Sequence, residues 1–181
     1  MSIKLAYMKI VTLSPGAFAG GLMIVDERGL PVDFRYTDPV QPSRVQQILY
    51  GKSLERHVRQ DVIFKHLVEK LEPRPSLLLV DDDLLLGLPA STPVAMVVET
   101  RLAPLHEAAE RQTISDHEYL LQVGETGSPV RIKIGKDDPA LADKVAELLL
   151  EVVEHGLDPT EPFGRIRGAV DALCAPSLVR E

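Results

Sequence analysis

The chain has 181 residues, 45% of them hydrophobic and 26% charged, with a formal net charge of -7. That is enough chain for one ordinary domain with a substantial core, and we read residues 1–181 as a single α/β domain. The acidic balance disfavours tight, nonspecific nucleic-acid binding, which depends on neutralising phosphates. With 4% aromatic residues and no Trp, base-stacking platforms are also disfavoured.

No apolar run approaches the roughly 20 residues that a membrane-spanning helix needs. The opening residues, Met1 to Ile10, lack a basic region followed by an apolar stretch and cleavage site, so we expect no leader and a cytoplasmic protein without membrane contact. The single cysteine, Cys174, has no internal disulfide partner, and no Cys/His spacing reads as a zinc site.

Taken in order, Leu5 to Leu13 is apolar and β-branched, and predicts a strand broken at Ser14-Pro15-Gly16. Gly20 to Val25 predicts a second strand, and Asp26 to Gly29 a turn. Val32 to Tyr36 alternates and predicts a third strand, antiparallel to the second. The chain thus begins with a three-strand antiparallel meander.

Ser43 can cap a short helix that runs through Tyr50 and stops at Gly51. Ser53 can cap the next, where Val58, Val62, Leu67 and Leu71 predict a long amphipathic helix over Leu54 to Leu71. Its basic residues, Lys52, Arg56, Arg59, Lys65 and Lys70, alternate with acids and read as a solvated face.

Ser76 to Val80 is apolar on both faces, which suits a central buried strand. It closes on Asp81-Asp82-Asp83. Pro93 to Glu99 predicts another buried strand, and Leu105 to Arg111 a short helix. Tyr119 to Val123 and Val130 to Ile134 predict a hairpin around Gly124 to Ser128. That hairpin could offer an edge strand within 119–134 to a partner or a second copy.

Asp137 or Asp138 can cap the next helix, with Pro139 in its first turn and an apolar stripe of Leu141, Val145, Leu148, Leu149 and Val152. Gly156 ends it. A last helix runs from Thr160 to Leu173, and 175–181 reads as a frayed tail. A meander followed by helix-separated central strands is the ribonuclease-H-like plan, a mixed sheet flanked by helices.

On that plan, several segments resemble endonuclease V, a family that cuts inosine-containing nucleic acid. Leu71-Glu72-Pro73-Arg74-Pro75-Ser76-Leu77-Leu78-Leu79-Val80-Asp81 is similar to that family's helix end, proline-rich joint and central strand. Leu86-Gly87-Leu88-Pro89 and the run from Thr92 to Leu102 are similar to its next strand, which ends in Lys-x-Arg-Leu. Pro129 to Gly135, Gly156 and Pro159-Thr160-Glu161-Pro162 resemble its closing strand, helix and entry to the last helix.

The resemblance implies phosphodiester hydrolysis with Mg²⁺ or Mn²⁺ held by carboxylates. It carries over to Asp81 at the central strand's end. Elsewhere the pattern departs. No acid lies between Met1 and Gly20, and the expected first-strand Asp falls near Lys9 or Ile10. The expected Glu falls near Gly51 to Ser53, where the nearest acid is Glu55. The late His falls on Lys136. The strand-end Lys falls on Glu99, although Arg101 is kept.

These departures imply a catalytically degenerate protein that acts as a binding or assembly module and needs no cofactor. Its ligand would be nucleic acid or another protein. Lys9 or Lys136 would approach Asp81, replacing the metal's charge, with Glu99 and Arg101 as binding residues. A second reading keeps a metal-dependent nuclease, with Asp81 and Asp83 as ligands and an acid from Glu55, Asp61 or Asp137. Asp81 and Asp83 would share one strand face, and Asp82 would not. The aspartates can equally cap the next element. A third reading is a small-molecule-binding α/β domain of unrelated strand order.

Overall fold

The computed structural model describes residues 2–13 and 16–175. Ser14 and Pro15 of the expected strand break, and 176–181 of the expected tail, lie outside the described residues. One eight-stranded mixed sheet has the order β3-β2-β1-β4-β5-β8-β7-β6. Strands β1 (Lys4–Leu13), β2 (Ala17–Asp26) and β3 (Pro31–Tyr36) form the antiparallel meander. Its β2–β3 turn closes on Gly29, at φ +78°.

Strands β4 (Leu77–Val80) and β5 (Val94–Val98) continue the sheet parallel to β1. Leu77 to Val80 are all buried, as their two-faced apolarity requires. The far half is antiparallel: β6 (Arg111–Ser115), β7 (Glu118–Leu121) and β8 (Val130–Ile134).

Alternation along the strands builds two cores. One face carries Leu5, Tyr7, Leu77, Leu79 and Val97. It is covered by α4 (Pro139–Glu154) and α5 (Glu161–Cys174) through Val145, Leu149, Phe163 and Ile166. The other face carries Ala6, Met8, Leu78 and Val80 under the first helices. Gly20 and Gly21 on β2 serve one face each. A Cβ on Gly20 would lie 2.4 Å from Ile63, and one on Gly21 2.7 Å from Ile166. Only glycine lets helices approach from both sides there.

The first helix, α1 (Arg44–Tyr50), has the expected cap: Ser43 and Gln46 form a reciprocal capping box. Ser53 does not cap the next. Its hydroxyl donates to the Tyr50 carbonyl, closing a short 3₁₀ turn over Gly51–Ser53. The long helix is then α2 (Leu54–His57), a π-helical stretch (Val58–Phe64) and α3 (Lys65–Leu67). The extra residue of the π turn moves the buried stripe. Val62, expected inside, is 37% exposed, whereas Ile63 is fully buried.

Two further expectations are corrected. Residues 105–110 form a turn rather than a helix: the Leu105 amide donates to the Gln122 side chain, and Glu110 accepts from the His106 and Glu107 amides. And 119–134 holds no free edge. β7 is bonded on one side to β8 and on the other to β6, a short polar strand absent from the sequence reading. Among the described residues, no helix is long and apolar enough to cross a membrane.

Candidate functional site

β1 and β4 run in parallel register through Met8 and Val80, so the next residues, Lys9 and Asp81, are neighbours. The Lys9 ammonium donates to the Asp81 carboxylate. Both side chains are about one-fifth exposed, at 20% and 21%. Of the two lysines expected near Asp81, Lys9 is the one that meets it. Lys136 is exposed and lies outside the groove.

After Val80 the strand stops because its backbone turns. The Asp82 carboxylate accepts the Leu84 amide at 3.0 Å, capping a 3₁₀ turn over Asp83–Leu85 that buries Leu85. The capping role foreseen for this acidic run therefore falls to Asp82. With the strand ended, strict alternation no longer applies, and Asp81, Asp82 and Asp83 line one groove of about 430 Å³.

Each aspartate has its own cation. Asp82 receives Arg59 Nη1 at 3.1 Å, and Asp83 lies 3.5 Å from Lys133 Nζ. Arg59 also pairs with Glu55 at 2.9 Å, donates to the Thr12 hydroxyl at 3.3 Å, and lies over the Phe18 ring. Its side chain is 13% exposed, while Lys52, Arg56, Lys65 and Lys70 stand in solvent. Arg59 was thus hidden in what read as a solvated cluster. The signal that could have found it is the apolar triplet Val62-Ile63-Phe64, which breaks the 3.6-residue period.

A divalent metal does not fit these residues. One Asp81 oxygen holds an ammonium, and both Asp82 oxygens are engaged. At an effective dielectric of about 20, unit charges about 4 Å apart interact by roughly 4 kcal/mol, so a divalent ion beside one retained ammonium meets about twice that in repulsion. The acids considered as further ligands are spent or elsewhere: Glu55 on Arg59, Asp61 on His57 at 2.8 Å, and Asp137 in a separate groove. Among the described residues, no three His, Cys, Asp or Glu side chains converge to hold a metal.

Glu99 and Arg101 do not line the Asp81 groove. Arg101 is exposed. Glu99 lines a second groove, of about 520 Å³, with Asp158, Thr160, Glu161 and Arg165 at the start of α5. There Asp158 Oδ1 caps the helix by accepting the Thr160 and Glu161 amides at 2.8 and 3.3 Å. Thr160 holds the cap position without a side-chain cap bond; its hydroxyl lies 3.0 Å from Glu99 Oε1 and 2.8 Å from Asp158 Oδ1. Tyr7, buried on β1, packs edge-on against Phe163 of α5. Burial, followed by the Asp158 charge, pushes the Tyr7 phenol well above its ordinary range.

At the level of sequence, no family profile and no curated protein matches the chain. At the level of structure, solved endonuclease V proteins do. The Streptomyces avermitilis enzyme superposes with a TM-score of 0.62 at 14% identity, covering 94% of this chain and 79% of its own. Human endonuclease V gives 0.56 at 14% identity, covering 96% and 87%. Ciona intestinalis endonuclease V, solved with a 24mer DNA containing an inosine, gives 0.55 at 11% identity, covering 95% and 87%. The chain therefore has the ribonuclease-H-like fold, with a distant resemblance to endonuclease V over most of its length.

Proposed function

We propose that this protein is a catalytically degenerate relative in architecture of the endonuclease V proteins, and that it binds nucleic acid without cutting it. The observation that carries this reading is the Lys9–Asp81 ion pair. It sits where the resemblance would place two metal-holding carboxylates. The Arg59–Asp82 and Lys133–Asp83 pairs support it, because each neutralises a further acid that a metal would need. Nucleic acid is favoured as ligand because a structural neighbour is solved with DNA, and because Lys52 in the 3₁₀ turn and Arg56 and Lys65 in the helix after it are exposed. With a net charge of -7, binding would depend on such a local patch.

The test is fluorescence anisotropy with labelled single-stranded and duplex DNA and RNA, in EDTA or Mn²⁺, at low and moderate salt. Binding that weakens with salt, persists in EDTA and leaves the strands whole on a denaturing gel is the expected result. Cleavage in Mn²⁺ that disappears in Asp81→Asn would instead establish the metal-dependent nuclease. Intact strands with no binding at low salt would leave a protein ligand as the role of the module.

A further inference from the structure

The first helix turns its apolar stripe outward. Val45, Ile48 and Leu49 stand at i, i+3 and i+4, the spacing by which a helix ordinarily buries one face. In α1 that face is in solvent: the three side chains are 64%, 71% and 76% exposed, and no residue of the helix is buried. The helix is nevertheless held in place. Ser43 and Gln46 cap its start, and the Gln47 side-chain amide donates to the Pro42 carbonyl at 3.1 Å. At its end Tyr50 stacks on His57, with ring centroids 4.6 Å apart. A fixed, outward apolar stripe marks a contact surface.

A matching hollow of about 470 Å³ is lined by Tyr36, Thr37, Asp38, Val40, Val62 and His66. Its apolar walls are Tyr36, Val40 and Val62, the last of which the π turn places outside the core. The chain does not fill this hollow with its own stripe, since the stripe is in solvent. The charges also match. Between Asp38 and Glu55 the sequence holds no acid and two cations, Arg44 and Lys52, in a chain of net charge -7. Arg44 heads the stripe and Asp38 stands at the hollow. Both are exposed, and among the described residues neither forms an ion pair.

We infer that two copies of this chain associate about a twofold axis, α1 of each lying in the Tyr36–Val62 hollow of the other, with Arg44 of one copy paired to Asp38 of the other. Across such an axis the contact is made twice. The stripe and Tyr50 together expose about 400 Å², a large patch for a monomer. Two stripes in two hollows bury on the order of 1,600 Å², the size of an ordinary stable interface, whereas one stripe in one hollow would bury only about half of that. The surface shares no residue with the Asp81 groove, so the inference does not rest on the nucleic-acid reading.

The test is sedimentation velocity of the whole chain, from low micromolar to near-millimolar concentration. The samples are wild type, Leu49→Glu, Arg44→Asp, Asp38→Arg and the double reversal Asp38→Arg with Arg44→Asp. All three positions are exposed, so the variants should fold; circular dichroism checks this. The expected result is a dimer that dissociates in the micromolar range. Leu49→Glu and each single reversal should weaken it at least tenfold, because every substitution is felt at both contacts, and the double reversal should restore it. A wild type that stays monomeric throughout overturns the inference. So does a dimer indifferent to Leu49→Glu, or one that the double reversal fails to restore, which would set α1 against another surface. Nucleic-acid anisotropy on the same variants identifies the other occupant: a monomer that loses nucleic-acid binding in Leu49→Glu overturns the dimer and gives the stripe to nucleic acid.

Discussion

Two grooves flank the ends of the parallel strands, and they handle negative charge in opposite ways. Around Asp81, every aspartate has a lysine or arginine from another element: Lys9 from β1, Arg59 from the π turn and Lys133 from β8. Around Asp158, two carboxylates share one hydroxyl, and Asp158 accepts two backbone amides at the start of α5. The acids of the first groove are met by side-chain cations, and those of the second by a hydroxyl and the helix backbone. A count of acids alone would misjudge the first, since that groove is closed to a metal. What decides is whether cationic side chains reach the acids.

The largest expected effect comes from reversing the charge that closes the first groove. Lys9→Asp sets two carboxylates side by side on adjacent strands. It should destabilise the protein by about 2–3 kcal/mol in urea unfolding, less than breaking a fully buried pair because both side chains are partly exposed. Mn²⁺ should restore part of that loss, through the two facing acids. If Lys9→Asp is neutral in the absence of metal, the pair does not hold the groove shut.

A smaller effect measures the pair itself. Lys9→Met and Asp81→Leu should each cost about 1–2 kcal/mol, since each leaves a half-buried charge alone, and the double variant should cost less than their sum. Strict additivity in that cycle would mean that the contact contributes nothing.

The smallest effect lies at Tyr7, buried against the Phe163 ring of α5, and has the opposite sign. Tyr7→Phe removes a buried hydroxyl that has no partner among the described residues, so it should stabilise the protein by about 0.5–1 kcal/mol in urea unfolding. A clear loss of stability would show that the hydroxyl is satisfied after all.

Most of the fold is legible in the sequence where burial repeats. The meander, the two-faced central strand and the caps at Ser43 and Asp138 follow from period, from apolarity and from short polar residues before helices. β6 was not legible. Arg111, Gln112 and Thr113 are exposed, so no buried stripe marks them, and only pairing with β7 makes them a strand. Of the first groove, Asp81 and Lys9 were legible, because one ends an apolar run and the other stands where an acid was expected. Arg59 was not, because its direction depends on a helical irregularity. The second groove was half legible: Glu99 was named for its position in a motif, but its meeting with Asp158 and Thr160 is a tertiary contact across 61 residues in the case of Thr160.

The π turn over Val58–Phe64 is equivalent to one extra residue within an otherwise regular helix. Because the wider turn already absorbs that residue, its loss would not turn the flanks: deletion of Val62, already half in solvent, sets Val58 and Ile63 four residues apart, still on one face, and leaves Arg59 directed at Asp82. A further inserted residue has no such outlet, and would rotate everything upstream by about 100° relative to Phe64 and Leu67, swinging Arg59 away from Asp82. A codon lost there is therefore harmless to the groove, whereas a codon gained would leave a bare carboxylate. The history of this groove is to be sought in the length of the helix as much as in the identity of its acids.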